Sequence, residues 1–342
     1  PKNPLGGLSR KLVTIQKMRK AGEDPLILDS GDLFFSTSSI NDNNVASERY
    51  RAGAILKGYE KIGCDAINVG RYELLSGLAF LKEKERSTSI PFISANLRDG
   101  KTGELLFEPY RIVQQGTLTV GVIGLTSMFQ DTLGAVITDD HVETGRSYLR
   151  KLKRKVDIAV ILINTERKNY DSLPDEFPEA DLIFVSGSTM LTRLNMPQKK
   201  GGPYVYSSGK QGKQLTVVDM NMKNDRDPVV NVSYQQAMIN YIRRRFEKLQ
   251  EQDPNRQLGE IYAEDDKILH LIRNYRQELE KMEMILENAV NILEFQNIPM
   301  GDTINDDPEM LSFVDRSLET CGSLKIRPVD EQAARSNIPD GP

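Results

Sequence analysis

The chain has 342 residues, of which 39% are hydrophobic and 27% charged, a composition typical of a globular protein with one or two domains. Its formal net charge of −4 gives no general attraction to nucleic acid or to anionic lipid. No apolar run reaches the length of about 18 residues that a membrane-spanning helix requires. We therefore expect no transmembrane segment and no nucleic-acid partner.

Helix and strand patterns alternate through residues 1–222. Amphipathic helices are predicted over 8–20 and 48–62, and each is followed by a glycine that ends it. Short apolar runs predict strands at 25–28, 66–69, 91–95, 110–114, 119–125, 158–163, 182–185, 205–207 and 215–222. This rhythm predicts a layered α/β domain over residues 1–225.

The pattern changes after residue 233. A polar helix is predicted over 234–252, and a longer one over 265–296, ended by Pro299. In the longer helix, apolar residues alternate by four and three, as in a heptad: Ile268, Ile272, Tyr275, Leu279, Met282, Leu286, Ala289 and Leu293. A capped helix is predicted from about residue 309. The sequence thus predicts a helical, coiled-coil-like appendage over 234–320 and an extended tail over 321–342.

Histidine and cysteine are scarce. His141 lies in a polar loop and His270 in the heptad pattern, and neither has a second histidine at ligand spacing. A dinuclear metal site commonly uses several imidazoles, so we expect no metal or other cofactor. Cys64 and Cys321 are the only cysteines; we favour free thiols over a disulfide, and the cellular compartment stays open.

Six segments in order resemble the N-terminal domain of bacterial 5′-nucleotidases and related calcineurin-like metallophosphatases. They include a Gly-Gly-Leu helix start, an Asp-Ser-Gly-Asp turn after a strand, and the Ser-Ala-Asn-Leu strand; the segments are 6–10, 26–32, 63–70, 91–97, 120–126 and 209–215. The resemblance implies a four-layer α/β/β/α sandwich with a metal site on loops at the strand ends. The family's opening Asp-x-His motif precedes the first of these segments and is not within this sequence.

The resemblance also implies where metal ligands would stand. The bridging aspartate falls on Asp32 and is kept, whereas Gly70-Arg71-Tyr72-Glu73 replaces the family's Gly-Asn-His-Glu. Asn164 stands at a histidine ligand, and the histidines of the last turn correspond to Gly187 and Thr189. An arginine cannot ligate a metal. We therefore predict a catalytically inactive site, with no metal held and with Arg71 either paired to Asp32 or lining an open pocket.

Three functions follow from these residues. The favoured one is a structural or interaction subunit of a larger assembly, outside the cytoplasm because the resembled family is largely exported. Its partner, another protein or a second copy, would bind the C-terminal helices, although intramolecular packing of the heptad helix is the favoured alternative. The second is phosphate or nucleotide binding without hydrolysis, by Arg71, Tyr72, Asn164, Ser186 and Ser188. The third is a residual metal-dependent phosphoesterase.

Overall fold

The computed structural model of the chain describes residues 7–128 and 134–326. In its first part, helices and short strands alternate: α1 (Leu8–Lys20), β1 (Leu28–Asp29), α2 (Val45–Ile62), β2 (Ala66–Asn68), α3 (Leu78–Arg86), β3 (Phe92–Ile93), β4 (Leu97–Asp99), β5 (Tyr110–Gln115) and β6 (Leu118–Thr126). A single turn of 3-10 helix, Tyr72–Leu74, follows β2. The predicted helix over 8–20 is confirmed with both ends, while β1 and β3 are shorter than predicted.

The second part continues with β7 (Val136–Thr138), α4 (His141–Leu152), β8 (Ile158–Asn164), α5 (Leu173–Glu176), β9 (Leu182–Ser186), β10 (Tyr204–Tyr206), β11 (Gln214–Asn221), β12 (Val229–Asn231), α6 (Val232–Gln250), α7 (Leu258–Ile261), α8 (Asp266–Glu287), β13 (Asn291–Pro299) and α9 (Pro308–Ser323). None of the helices in the described ranges is both long enough and apolar enough to cross a bilayer.

Two sheets face each other and form the middle of the fold. One has the strand order β1-β2-β3, all parallel, and the other the order β10-β9-β8-β6-β5, with β5 antiparallel. One core lies between the first sheet and helices α2 and α3, and includes Leu56, Ile67 and Leu81. Another lies between the second sheet and α4 and α5, and a third joins the two sheets. This is the predicted four-layer α/β/β/α arrangement.

The predicted heptad helix over 265–296 is wrong beyond Glu287, where α8 ends. Residues 291–299 form the strand β13, which pairs with β11 and β12 and lies between them. Leu293 and Phe295 are buried and Glu294 is exposed, which is the alternation of a strand. Leu293 continues the heptad in the sequence because it lies seven residues after Leu286. In the structure it lies on β13, so it does not belong to an interaction helix.

The start of β13 is fixed by Asn291. Its side-chain oxygen accepts hydrogen bonds from the backbone N–H groups of Lys223 at 2.7 Å and Asn224 at 3.2 Å, and its amide nitrogen donates to two carbonyls of the same turn. These bonds join β13 to the turn between β11 and β12, and β13 also pairs with β11, which precedes the predicted boundary between residues 225 and 234. The division into domains itself stays a prediction.

Helices α6 and α8 pack side by side as a hairpin. The ring of Tyr275 makes edge-to-face contacts with the rings of Tyr241 and Phe246, at centroid distances of 6.4 and 6.0 Å. Arg243 and Glu283 form an ion pair at 2.8 Å. The inner face of α8 is therefore covered by α6, as the intramolecular alternative predicted, and its outer face remains exposed.

Helix α9 packs against α1 and α2, at the start of the chain. Asp307 caps it by accepting a hydrogen bond from the backbone N–H of Met310 at 2.8 Å, as the sequence predicted. Met310 is fully buried in a core with Leu12, Ile15 and Ile62. Residues 321–323 belong to this helix rather than to an extended tail, and residues 327–342 lie outside the described chain. Cys64 and Cys321 are both free thiols.

Candidate functional site

The loops that follow β1, β2, β8 and β9 meet at one edge of the two sheets. Asn164, the last residue of β8, is fully buried, and its side-chain nitrogen donates to Oγ of Ser186 at 2.8 Å. The Ser186 hydroxyl donates in turn to the carbonyl of Ser30 at 2.6 Å. Because the C-terminal ends of parallel strands share an edge, residues far apart in sequence come together here.

Gly70 shows how tightly this edge is packed. A Cβ atom built on Gly70 would lie 2.9 Å from Cγ of Asn164 and 2.9 Å from the backbone nitrogen of Asp32. It would also lie 3.0 Å from Oδ1 of Asp32. The structure therefore places Asp32 and Asn164 on either side of the backbone of Gly70, with no room for a side chain between them.

Asp32 lies in a left-handed turn, with φ of 62°. Such a conformation is uncommon for a residue other than glycine, although aspartate and asparagine tolerate it best. Its Oδ1 atom accepts a hydrogen bond from the backbone N–H of Tyr72 at 2.9 Å. The carboxylate that would bridge two metals in the resembled family is thus bonded to the loop after β2.

Arg71 and Asp32 form no ion pair in the described chain, so the hypothesis that the Arg71 guanidinium neutralises Asp32 is wrong. The guanidinium lies over the ring of Tyr72, with Cζ 5.0 Å from the ring centroid. The backbone N–H of Arg71 donates to Oδ1 of Asn164 at 3.0 Å. The guanidinium thus contacts the neighbouring aromatic ring, and the Arg71 backbone is held by Asn164.

Glu73 holds the site together, and the sequence analysis assigned it no role. It is fully buried, and its carboxylate accepts hydrogen bonds from four backbone N–H groups: those of Asp32, Leu33, Phe34 and Gly70, at 2.9, 2.6, 3.3 and 2.9 Å. Burial, followed by repulsion from Asp32, raises the pKa of Glu73 to about 7. The available signal was that Glu73 keeps the glutamate of the resembled Gly-Asn-His-Glu segment.

The turn after β9 makes fewer hydrogen bonds to the other loops at this edge than its resemblance to a ligand-bearing turn suggested. Gly187 has φ of 86°, and a Cβ there would lie 2.5 Å from the sulfur of Met128. The hydroxyl of Ser188 accepts a long bond of 3.3 Å from the backbone N–H of Met190, and Thr189 is exposed. Of the predicted residues in this turn, only Ser186 joins the hydrogen-bond network.

The residues at this edge do not fit a dinuclear metal site. A two-metal site needs several carboxylate or imidazole ligands, but Asp32 is the single anionic side chain at the predicted ligand positions. The side-chain oxygen of Asn164 is already bonded to the backbone of Arg71. Within residues 7–128 and 134–326, no group of three or more His, Cys, Asp or Glu side chains is placed to hold a metal ion. His141 begins α4 and His270 lies on α8.

Several known proteins are similar to this chain in sequence, although no family model matches it. A 5′-nucleotidase of Vibrio cholerae is 24% identical over 347 residues, which cover 87% of this chain and 60% of that protein. A 2′,3′-cyclic-nucleotide 2′-phosphodiesterase/3′-nucleotidase of Yersinia enterocolitica is 29% identical over 258 residues, covering 64% of this chain and 39% of that one. The chain therefore spans at most about 60% of the length of these relatives.

Solved structures with the same fold include three proteins at 21% identity. A 5′-nucleotidase precursor of Thermus thermophilus has a TM-score of 0.54, and the match covers 66% of this chain and 47% of that one. The calcineurin-like phosphoesterase YfkN of Bacillus subtilis has a TM-score of 0.53, covering 64% and 78%. The sulfate thiohydrolase SoxB of Thermus thermophilus has a TM-score of 0.55, covering 64% and 40%. The chain is thus similar in sequence to these nucleotidases, and its fold is that of the calcineurin-like phosphoesterases.

Proposed function

We propose that this chain is a catalytically inactive protein of the metallophosphatase fold that serves as a structural or interaction subunit of an extracytoplasmic assembly. The observation that carries the proposal is the hydrogen bonding of the two polar side chains nearest the former metal positions. Asp32 accepts from the backbone of Tyr72, and Asn164 accepts from the backbone of Arg71. Both side chains connect neighbouring loops through these hydrogen bonds.

The electrostatics of the edge support the same proposal. Hydrolysis by the two-metal route requires two cations held close together, which activate a water molecule and clamp the phosphoryl group. Here Arg71, which stands at a predicted ligand position, carries a permanent positive charge, and a guanidinium offers no lone pair to a metal. Replacing several ligands at once should abolish such a site, since a change in one supporting residue already costs about 10–100-fold in affinity.

The proposal is tested by metal content and activity. We expect purified protein to contain no stoichiometric manganese, zinc or iron by mass spectrometry, and about 1 mM Mn²⁺ to leave its melting temperature unchanged. A metal present at 100-fold excess over its dissociation constant would stabilise the fold by about 2.7 kcal/mol, which a melting curve would detect. The Vibrio cholerae 5′-nucleotidase serves as the positive control. Phosphoesterase activity above background with Mn²⁺ would overturn the proposal.

A second candidate function is the binding of a phosphate or nucleotide without hydrolysis. It is favoured by Arg71, a half-buried cation at this edge that forms no ion pair among the described residues, although its charge helps to lower the pKa of Glu166 after the Lys168 ion pair. An anion with several acceptor oxygens is the natural partner of such a guanidinium. Stabilisation of the wild-type protein by a nucleoside monophosphate, absent in Arg71→Ala, would support this candidate, and no stabilisation at millimolar ligand would count against it.

Replacing Asp32 by asparagine is expected to stabilise the fold by about 1 kcal/mol. The asparagine oxygen can still accept from Tyr72, asparagine tolerates the left-handed turn, and a negative charge beside Glu73 is removed. Urea denaturation at pH 8, where Glu73 is ionised, measures the change. Asp315→Asn, at an exposed position of α9, is the control and should change stability by less than about 0.5 kcal/mol. Clear destabilisation by Asp32→Asn would show that the carboxylate has a role that requires its charge.

A further inference from the structure

The outer face of α8 carries a stripe of exposed residues, which we call the α8 stripe. Its members recur every three or four positions and therefore lie in one row along the helix: His270, Arg273, Gln277, Glu280, Met284 and Glu287. The row lies on the side of the helix away from Tyr275 and Met282, which face inward. Met284 exposes 58% of its surface. None of the three charged residues of the stripe, Arg273, Glu280 and Glu287, forms an ion pair within the described chain.

The charges of α8 are divided between its two halves. Residues 266–277 carry one acidic residue, Asp266, and three cations, Lys267, Arg273 and Arg276, a net charge of +2. Residues 278–287 carry four acidic residues and one lysine, a net charge of −3: Glu278, Glu280, Glu283, Glu287 and Lys281. The helix is therefore strongly bipolar along its length.

This division does not stabilise α8 by itself. The dipole of a helix favours acidic residues near its N-terminus and basic residues near its C-terminus. In α8 the acidic half is the C-terminal one, and its last turn contains no basic residue. Beyond Asp266 in the first turn, the charge pattern thus opposes the helix dipole, and it is explained better by a charged surface that lies alongside the helix.

We propose that the α8 stripe binds the α8 stripe of a second copy of this chain, with the two helices antiparallel. In that orientation the basic half of each helix lies along the acidic half of the other, whereas a parallel pair would place like charges together. A two-fold axis between Gln277 and Glu280 would set His270 opposite Glu287 of the second copy. It would also set Arg273 between Glu280 and Glu287 of the second copy. The inference rests on the proposed interaction role and names its partner.

Exposed ion pairs and one apolar contact predict a weak dimer whose dissociation constant depends on salt concentration. Exposed ion pairs are individually weak and are screened by salt, but a two-fold axis repeats each pair. Contact of Met284 across the axis adds a small apolar contribution. We expect the dimer to weaken as sodium chloride is raised.

The test is sedimentation equilibrium of the full chain over a range of concentrations, with charge-reversal variants. Arg273→Glu, with Arg276→Glu at the exposed position beside the stripe, makes the stripe acidic throughout, and Glu280→Arg with Glu287→Arg makes it basic. Each double variant alone is expected to raise the dissociation constant at least about tenfold. An equimolar mixture of the two should recover the dimer, as should a single chain that carries all four changes.

A matched control changes the same number of charges elsewhere. Arg150→Glu with Arg154→Glu alters two exposed cations in and just after α4, and it should leave the dimer unchanged. A wild-type chain that stays monomeric up to about 1 mM, or a mixture of the reversed variants that stays monomeric, would overturn the dimer. A monomer without phosphoesterase activity would leave the inactive role standing, whereas activity with Mn²⁺ would remove that role in any oligomeric state.

Discussion

Replacing Glu73 by alanine is expected to lower the free energy of unfolding by about 4 kcal/mol. The change removes the acceptor from four backbone N–H groups, at Asp32, Leu33, Phe34 and Gly70, in a region where Glu73 and Phe34 are fully buried. Glutamine should cost less, about 2 kcal/mol, because its side-chain oxygen still accepts while its NH₂ group faces donors. Urea denaturation at pH 8 measures both losses.

The control for Glu73 is Glu83, an exposed glutamate whose side chain has a relative accessibility of 61% and which pairs with Lys84 at 2.9 Å. Glu83→Ala should leave the free energy of unfolding nearly unchanged. If Glu73→Ala cost no more than Glu83→Ala, the carboxylate would not be the group that joins the loops after β1 and β2.

Glu73 also predicts how stability depends on pH. Burial, with repulsion from Asp32, raises its pKa to about 7 from the ordinary value of 4.5. The folded protein therefore binds this proton more tightly than the unfolded chain does. Its contribution to stability is fully present below about pH 4.5 and is lost as the pH rises to about 7. A difference of this size corresponds to roughly 3 kcal/mol.

The pH effect is isolated by comparing wild type with Glu73→Gln, which cannot titrate at this position. Both proteins share the other carboxyl groups whose pKa is raised by burial, among them Asp29 and Asp181. The free energy of unfolding of wild type should fall relative to that of the variant between pH 4.5 and pH 7. Parallel pH profiles would show that the Glu73 carboxyl titrates as an exposed group does.

The sequence was sufficient to predict the layers, whereas the assignment of Asp32 and Asn164 to metal-ligand positions stays a prediction. Strands such as β6 and β8 appear as apolar runs because they are buried, and the turns after them carry the residues that match the resembled family. Asp32 and Asn164 do meet at one edge, since parallel strands end together. These features depend on local pattern and chain order, which the sequence contains.

The directions of the side chains could not be predicted in the same way. Whether Arg71 pairs with Asp32 or lies over Tyr72 depends on backbone bonds between loops that are distant in sequence. The role of Glu73 likewise requires that the backbone N–H groups of residues 32–34 point at one carboxylate. A single sequence does not specify these three-dimensional relations.

Leu293→Ala is expected to lower the free energy of unfolding by about 2–5 kcal/mol, because Leu293 is fully buried where β13 contacts the core between the two sheets. Its neighbour Glu294 points to the opposite, exposed side, so Glu294→Ala should cost less than about 0.5 kcal/mol. The same pair of variants separates the two interpretations of residues 288–296. On an exposed hairpin helix, Leu293 would lose little when truncated, and the two substitutions would have similar effects. A large difference between adjacent residues is the signature of a strand with one buried face. It would also mean that residues predicted to form an appendage stabilise the sandwich itself.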